Sequence, residues 1–105
     1  SLITILLDNA VKYTNERGRI DVTLGKKKNR IYLSVFNTTE YISKEQTSRL
    51  FDRFYRTDIS RNSQTGGYGL GLSIAAATAD SHKGKIMAET EDEKSLRITV
   101  TFPGQ

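Results

Sequence analysis

The chain has 105 residues, 36% of them hydrophobic and 27% charged, and a net charge of +4. That supports one domain with a modest core and excludes a disordered chain; no apolar run approaches the roughly 20 residues that span a bilayer. Zero cysteines exclude disulfides and cysteine-ligated zinc, and a single histidine, His82, excludes a multi-histidine metal centre.

Leu2, Ile3, Ile5, Leu6, Ala10 and Val11 recur at helical spacing, with Asp8, Asn9 and Lys12 off that stripe, which predicts an amphipathic helix over 2–14. Ser1 already stands at its start, so the natural N-terminus is expected to lie further upstream, and no signal-peptide pattern is visible. The polar turn Asn15-Glu16-Arg17-Gly18 ends the helix. Ile20, Val22 and Leu24 alternate with polar residues, and so do Ile31, Leu33 and Val35, which predicts an antiparallel hairpin of strands 19–26 and 30–37. Its turn carries Lys26, Lys27 and Lys28; the excess charge suits a polyanion such as a nucleotide, but the lysine run itself reads as a solvated tip.

Residues 38–68 read as a long irregular segment with one short helix, capped by Ser43 with Gln46 at the capping-box position and extending toward Phe51. Within it, Thr57 to Gly67 is polar and rich in glycine and serine, as functional lids often are. A second amphipathic helix over 70–81 follows, then strands 85–91 and 96–102 joined through Glu91-Asp92-Glu93-Lys94. The sum is a two-layer α/β (α+β) sandwich: a mixed, mostly antiparallel sheet with helices on one face.

Two groups of residues could carry chemistry. Gly66, Gly67, Gly69 and Gly71 lead into the second helix; backbone without Cβ atoms at a helix start offers N–H groups to an anion such as phosphate. Asn9, Lys12 and Tyr13 project to one face of the first helix. An asparagine oxygen suits Mg²⁺, which takes few protein ligands beside substrate phosphates, and Lys12 could meet a phosphate. An ordinary polar helix face is the alternative.

The motifs join into a family pattern. Leu7-Asp8-Asn9-Ala10-Val11-Lys12-Tyr13-Thr14 resembles the N box of two-component sensor histidine kinases, Leu50 to Arg56 their F box, and Gly67-Tyr68-Gly69-Leu70-Gly71-Leu72 their second glycine box, in the right order from Ile3 to Pro103. The resemblance implies the ATP-binding catalytic domain of the GHKL superfamily over 1–105, incomplete at its N-terminus, with a lid at about 55–68. By position, Asn9 would coordinate Mg²⁺, with Lys12 and Tyr13 against the phosphates. Asn37 would read adenine and Arg56 would reach the terminal phosphates. Gly67, Gly69, Leu70, Gly71 and Leu72 would shape the lid's wall and hinge.

Phosphoryl transfer asks the protein mainly for positioning and charge neutralisation, which such a set could supply. The resemblance also implies a histidine-bearing dimerisation domain of the same parent protein as acceptor and a response regulator downstream. It implies a cytoplasmic site of action, with the parent a possible membrane sensor. No nucleic-acid role and no direct membrane contact of this domain are expected. His82, at the far end of the second helix from the glycines, reads as structural.

The chain departs from the pattern in four places. Asn37-Thr38-Thr39-Glu40-Tyr41 replaces the first glycine box Asp-x-Gly-x-Gly, so Thr39 stands where positive φ would be a strain and Tyr41 could fill the adenine pocket or stack on the base. Ile5 replaces a frequent asparagine, and Glu93-Lys94-Ser95-Leu96 stands where a third glycine box is usual. The strand that usually precedes the N box is missing, which leaves an apolar edge expected to be uncovered. A degenerate domain acting by protein contact and an anti-sigma serine kinase are the competing readings.

Overall fold

A computed structural model describes residues 1–53 and 71–104. The expected lid, Arg56, Gly67, Gly69 and Leu70 lie outside the described residues. In chain order the elements are α1 (Leu2–Tyr13), β1 (Ile20–Lys27), β2 (Arg30–Thr38), α2 (Lys44–Arg49), α3 (Gly71–Ser81), β3 (Lys85–Glu89) and β4 (Ser95–Pro103).

Local chemistry sets the helix ends. Ser1 caps α1, its side-chain oxygen accepting from the Thr4 N–H at 3.2 Å, and the Thr14 N–H closes the last turn on the Ala10 carbonyl. At α2 the capping box forms both ways: Gln46 N–H donates to Ser43 Oγ at 3.0 Å and Ser43 N–H to Gln46 Oε1 at 2.8 Å. α3 ends with Lys83 in the left-handed region (φ 60°) and the Gly84 N–H on the Ala79 carbonyl at 2.8 Å, a Schellman closure.

The four strands run in the order β1-β2-β4-β3, and each described pairing is antiparallel, so the sheet is not mixed among these residues. Val35 stands opposite Val22 on one side and Ile98 on the other, and Leu33 opposite Val100. The twofold alternation of a strand therefore places Leu33, Val35, Asn37, Leu96, Ile98 and Val100 on one face. Leu6 and Ala10 of α1, Ala75 and Ala79 of α3, and Ile42 and Leu50 on either side of α2 close over that face in one apolar cluster. The helices thus lie on one face, as the pattern required. The last two strands differ at their ends: β3 stops at Glu89, and β4 runs from Ser95 to Pro103.

The helical stripe is narrower than the spacing suggests. Val11 is 67% exposed, because at 100° per residue it is turned well away from the side on which Leu6 and Ala10 point inward; Ile3 falls on that inward side, one turn before Leu6, yet is 53% exposed in the first turn of α1. β1 is an edge strand, and Val22 and Leu24 on its helix-facing side are 50% and 73% exposed. Apolar residues of correct period thus lie beyond the reach of the described helices.

Leu6 is fully buried between the two layers. Leu6→Ala should lower the unfolding free energy by about 2–5 kcal/mol, read in urea as a lower midpoint at unchanged slope.

Candidate functional site

α1 packs through Leu6 and Ala10, and this rotation carries Asn9 partly into the interior. Its Oδ1 is buried and has no hydrogen-bond partner among the described residues. Such an orphan acceptor costs about 1–3 kcal/mol, so the folded chain keeps it against a stability gradient. Asn9 therefore lies at the margin of the buried stripe rather than off it, whereas Asp8 is exposed. One turn on, Lys12 and Tyr13 are both half-buried, with Lys12 Nζ 5.4 Å from the Tyr13 ring centroid. Among the described residues no three His, Asp or Glu side chains gather as metal ligands. A cation here would take Asn9 Oδ1 and complete its shell with oxygens from a bound ligand. The hard, neutral amide oxygen fits Mg²⁺.

A polar tether brings the end of α1 to the end of β2. Thr38 Oγ1 donates to Asn15 Oδ1 at 2.7 Å and accepts from the Arg19 N–H at 2.8 Å, while the Thr38 N–H donates to the Arg19 carbonyl at 3.0 Å. Gly18 sits beneath it: a Cβ there would collide with Asn15 Oδ1, Thr38 Oγ1 and Thr14 Oγ1. Close approach makes this glycine necessary. Thr14 Oγ1 is a second buried oxygen without a partner among the described residues. Beside the tether, on the helix-facing side of the sheet, Asn37 is only 2% exposed, and its Nδ2 donates to the Thr38 carbonyl at 3.0 Å.

The segment replacing the first glycine box is zipped to the β3–β4 turn. Thr39 N–H donates to the Lys94 carbonyl and Ile42 N–H to the Glu93 carbonyl, each at 2.9 Å. Thr39 is buried and is not among the non-glycine residues with positive φ; Glu93, at φ 62°, takes the left-handed conformation in the facing turn instead. The expected strain at Thr39 is therefore absent. Tyr41 is 55% exposed, and its hydroxyl donates to Glu93 Oε2 at 3.3 Å. The Glu93 carboxylate pushes the phenol pKa up, chiefly by charge. The ring is thus drawn to the turn instead of filling the space between sheet and helices.

Asp92 braces the same turn, accepting from the Lys94 N–H at 2.9 Å and from Ser95 Oγ at 2.7 Å. These bonds, that from the Lys94 backbone foremost, hold its carboxyl below the ordinary 3.8. Gly71 opens α3 against Ile5, whose Cγ2 would lie 3.8 Å from a Cβ at this position. Leu72 packs partly buried against the core.

The model of the histidine kinase-, DNA gyrase B- and HSP90-like ATPases matches residues 1–105. The chain belongs to this ATPase family. It is 45% identical over 108 residues to the sensor protein CiaH of Streptococcus pneumoniae, a match covering 99% of the chain and 24% of that protein. To the sensor histidine kinase YkoH of Bacillus subtilis it is 41% identical over 104 residues, covering 99% and 22%. The chain thus spans about a quarter of the length of these curated relatives. The solved catalytic domain of histidine kinase ThkA superposes with a TM-score of 0.78 at 30% identity, covering 97% of this chain and 63% of that one. A mycobacterial sensor kinase, MprB, shares the fold with a TM-score of 0.84 at 24% identity, over 99% of this chain and 70% of that one.

Within the ATPase domain, Asn9, Lys12 and Tyr13 share α1, and the tether sets Asn37 beside that helix's end. Asn15, Thr38 and Gly18 were missed as supports of the site. Only the Thr14-Asn15 pair after a helix, followed by glycine, could have pointed to them. His82 stands apart: its ring meets Phe102 edge-on at 6.4 Å between centroids, and Nδ1 lies 2.9 Å from the Thr78 carbonyl oxygen.

Because the folded pKa of Asp92 is depressed, its contribution is present at neutral pH and is lost as pH falls through that lowered value. Asp92→Ala should therefore unfold at a lower temperature than the parent at pH 7. The difference should close in thermal melts taken progressively below pH 3.8, the ordinary aspartate value.

Proposed function

We propose that this chain is the nucleotide-binding catalytic domain of a sensor histidine kinase, holding ATP with Mg²⁺ and presenting the γ-phosphoryl group to a histidine on a separate dimerisation domain. In that transfer a nitrogen–phosphorus bond forms at the imidazole, the bond to the β-phosphate oxygen breaks, and ADP leaves. The observation that carries the reading is the buried Oδ1 of Asn9, without a partner among the described residues, on a helix that resembles the family's N box. Family membership and the kinase names of the relatives support it.

The residues divide the work. Asn9 would hold Mg²⁺, which supplies charge neutralisation across the phosphates. Lys12 adds a point charge one turn on, and Tyr13 an apolar ring face beside it. Asn37 would accept a hydrogen bond from the adenine amino group. Arg56 and the glycines at 67, 69 and 71 are assigned to the phosphate side by motif position. The phosphoacceptor is assigned to another domain of the parent protein, since His82 is engaged at the far end of α3. The structural neighbour ThkA has been solved with the response regulator TrrA, at 27% identity to this chain. A response regulator is accordingly the downstream partner proposed here. Among the described residues no helix is long and apolar enough to cross a membrane, and a cytoplasmic face is the proposed place of action.

The competing reading, a degenerate domain, draws on the altered first glycine box, and calorimetry separates the two. Titration with ATP should give saturable heat with Mg²⁺ and a much weaker response with EDTA. No heat at millimolar ATP with Mg²⁺ would remove the enzyme reading.

Asn9→Leu should leave the nucleotide-free chain as stable as the parent or more so, since it removes an unpaired buried acceptor. The same substitution should abolish the Mg²⁺-dependent part of ATP binding. A stability loss with unchanged binding would make Asn9 a packing residue instead.

A further inference from the structure

We infer that the end of the sheet farthest from the Thr38 tether is a docking rim for a bilayer that carries anionic phospholipid headgroups. The rim lies at the other end of the strands from the proposed nucleotide site and does not depend on that reading. Lys27 closes β1 opposite Arg30 at the start of β2, Arg30 stands opposite Pro103 at the end of β4, and Lys85 opens β3. Lys26 and Lys28 belong to the same hairpin end, Lys28 in its turn with φ 55°. Gly84 backs onto Thr101 and Phe102 near the end of β4, which brings Lys83 to this end as well. Strands lie about 4.8 Å apart, so the four of them spread these six cations over about 14 Å. The lysine run that reads in the sequence as a solvated tip is half of a larger cluster.

All six cations are exposed, and none forms an ion pair among the described residues. Of the acids, Asp80 in the last turn of α3 shares this end. Glu40, Glu89, Glu91, Asp92 and Glu93 collect at the other end of the strands, in and beside the β3–β4 turn. The domain is therefore charged end to end, and such a field turns the basic rim toward an anionic surface. Three features select a bilayer over a nucleic acid. Strand alternation sets Lys26 on the helix-facing side and Lys27, Arg30 and Lys85 on the other, so the charge is presented end-on to a plane rather than along a groove. Five of the six are lysines, point charges that suit mobile headgroups better than fixed, bidentate phosphate contacts. Aliphatic tips stand among them: Ile31, directly opposite Lys26, is 43% exposed and Leu24 is 73% exposed. Aliphatic side chains between lysines match the boundary of headgroups and acyl chains, whereas bases call for open aromatic faces, and the Tyr32 ring is already packed over Gly25. This departs from the expectation, drawn from the family resemblance, that the domain makes no membrane contact.

Co-sedimentation of the full chain with vesicles tests the rim. The chain should pellet with phosphatidylcholine vesicles containing about 30% phosphatidylglycerol, stay in solution with phosphatidylcholine alone, and be released by added salt. Lys27→Gln with Lys28→Gln should weaken binding to the anionic vesicles at least about tenfold. Lys44→Gln with Lys94→Gln, which removes the same charge beside the acidic turn, should change it less than about threefold. The chain has no tryptophan, so Ile31→Trp reports on the rim alone, and its emission should shift to the blue with anionic vesicles only. Absence of binding, equal binding to both kinds of vesicle, or equal losses from the two lysine pairs overturns the rim, as does an unshifted Ile31→Trp emission from vesicle-bound chain. Retention by a single-stranded oligonucleotide without retention by anionic vesicles assigns the rim to nucleic acid and overturns the proposal too. If Ile31→Trp fails to fold, the exposed lysine pairs still decide.

Discussion

The structure depends on the seam between α1 and α3. Ala10, Ala75 and Ala79 are at most 1% exposed and Leu6 is fully buried, so the small side chains let the two helices close over the sheet with Leu6 between the layers. That packing fixes the rotation of α1 about its axis. Once Leu6 and Ala10 point inward, Asn9 has no choice but to carry its amide to the edge of the core. The orphaned Oδ1 is thus imposed by the seam, and relaxing it would mean unpacking the helix. Proteins commonly trade stability for function at such positions.

The other end of the proposed site is held by polar rather than apolar contacts. The Asn15–Thr38–Arg19 tether binds the exit of α1 to the end of β2, and the paired segments 39–42 and 93–94 close the loop beyond it. Glycine boxes in this family suit backbone that must come close to a ligand. Here Thr39 and Tyr41 stand in place of those glycines, with backbone pairing at Thr39 and Ile42, and a left-handed residue, Glu93, lies in the facing turn. The loop gains definition where the family pattern has conformational freedom. The half of the proposed site at Asn37 is accordingly built from fixed hydrogen bonds, and the half at Asn9 carries an acceptor unmet among the described residues.

Much of this was legible in the sequence, for reasons that can be traced. The capping box at Ser43 and Gln46 is a local chemical unit, so it formed as written. The hairpin followed from alternation, and α1 from its spacing, because each depends on neighbours within a few residues. What the sequence could not convey is coverage. Val22 and Leu24 have the period of a buried strand, but burial depends on whether a helix reaches them, and none of the described helices does. Periodicity likewise could not tell Ile3 from Leu6 and Ala10. The pairing of Thr39 with Lys94 joins segments far apart in the chain, so the motif pattern suggested strain where the fold has none. Gly18 read as an ordinary turn residue; the three oxygens that require it come together only once the tether forms.

The most direct test of the account follows the side-chain amide resonances of Asn9 and Asn37 by ¹⁵N NMR while a non-hydrolysable ATP analogue is added, first without and then with Mg²⁺. The account predicts that the Asn37 amide shifts with nucleotide and the Asn9 amide shifts only when Mg²⁺ is also present. If both amides stay unmoved while resonances elsewhere respond, the nucleotide sits in another place and the account is wrong.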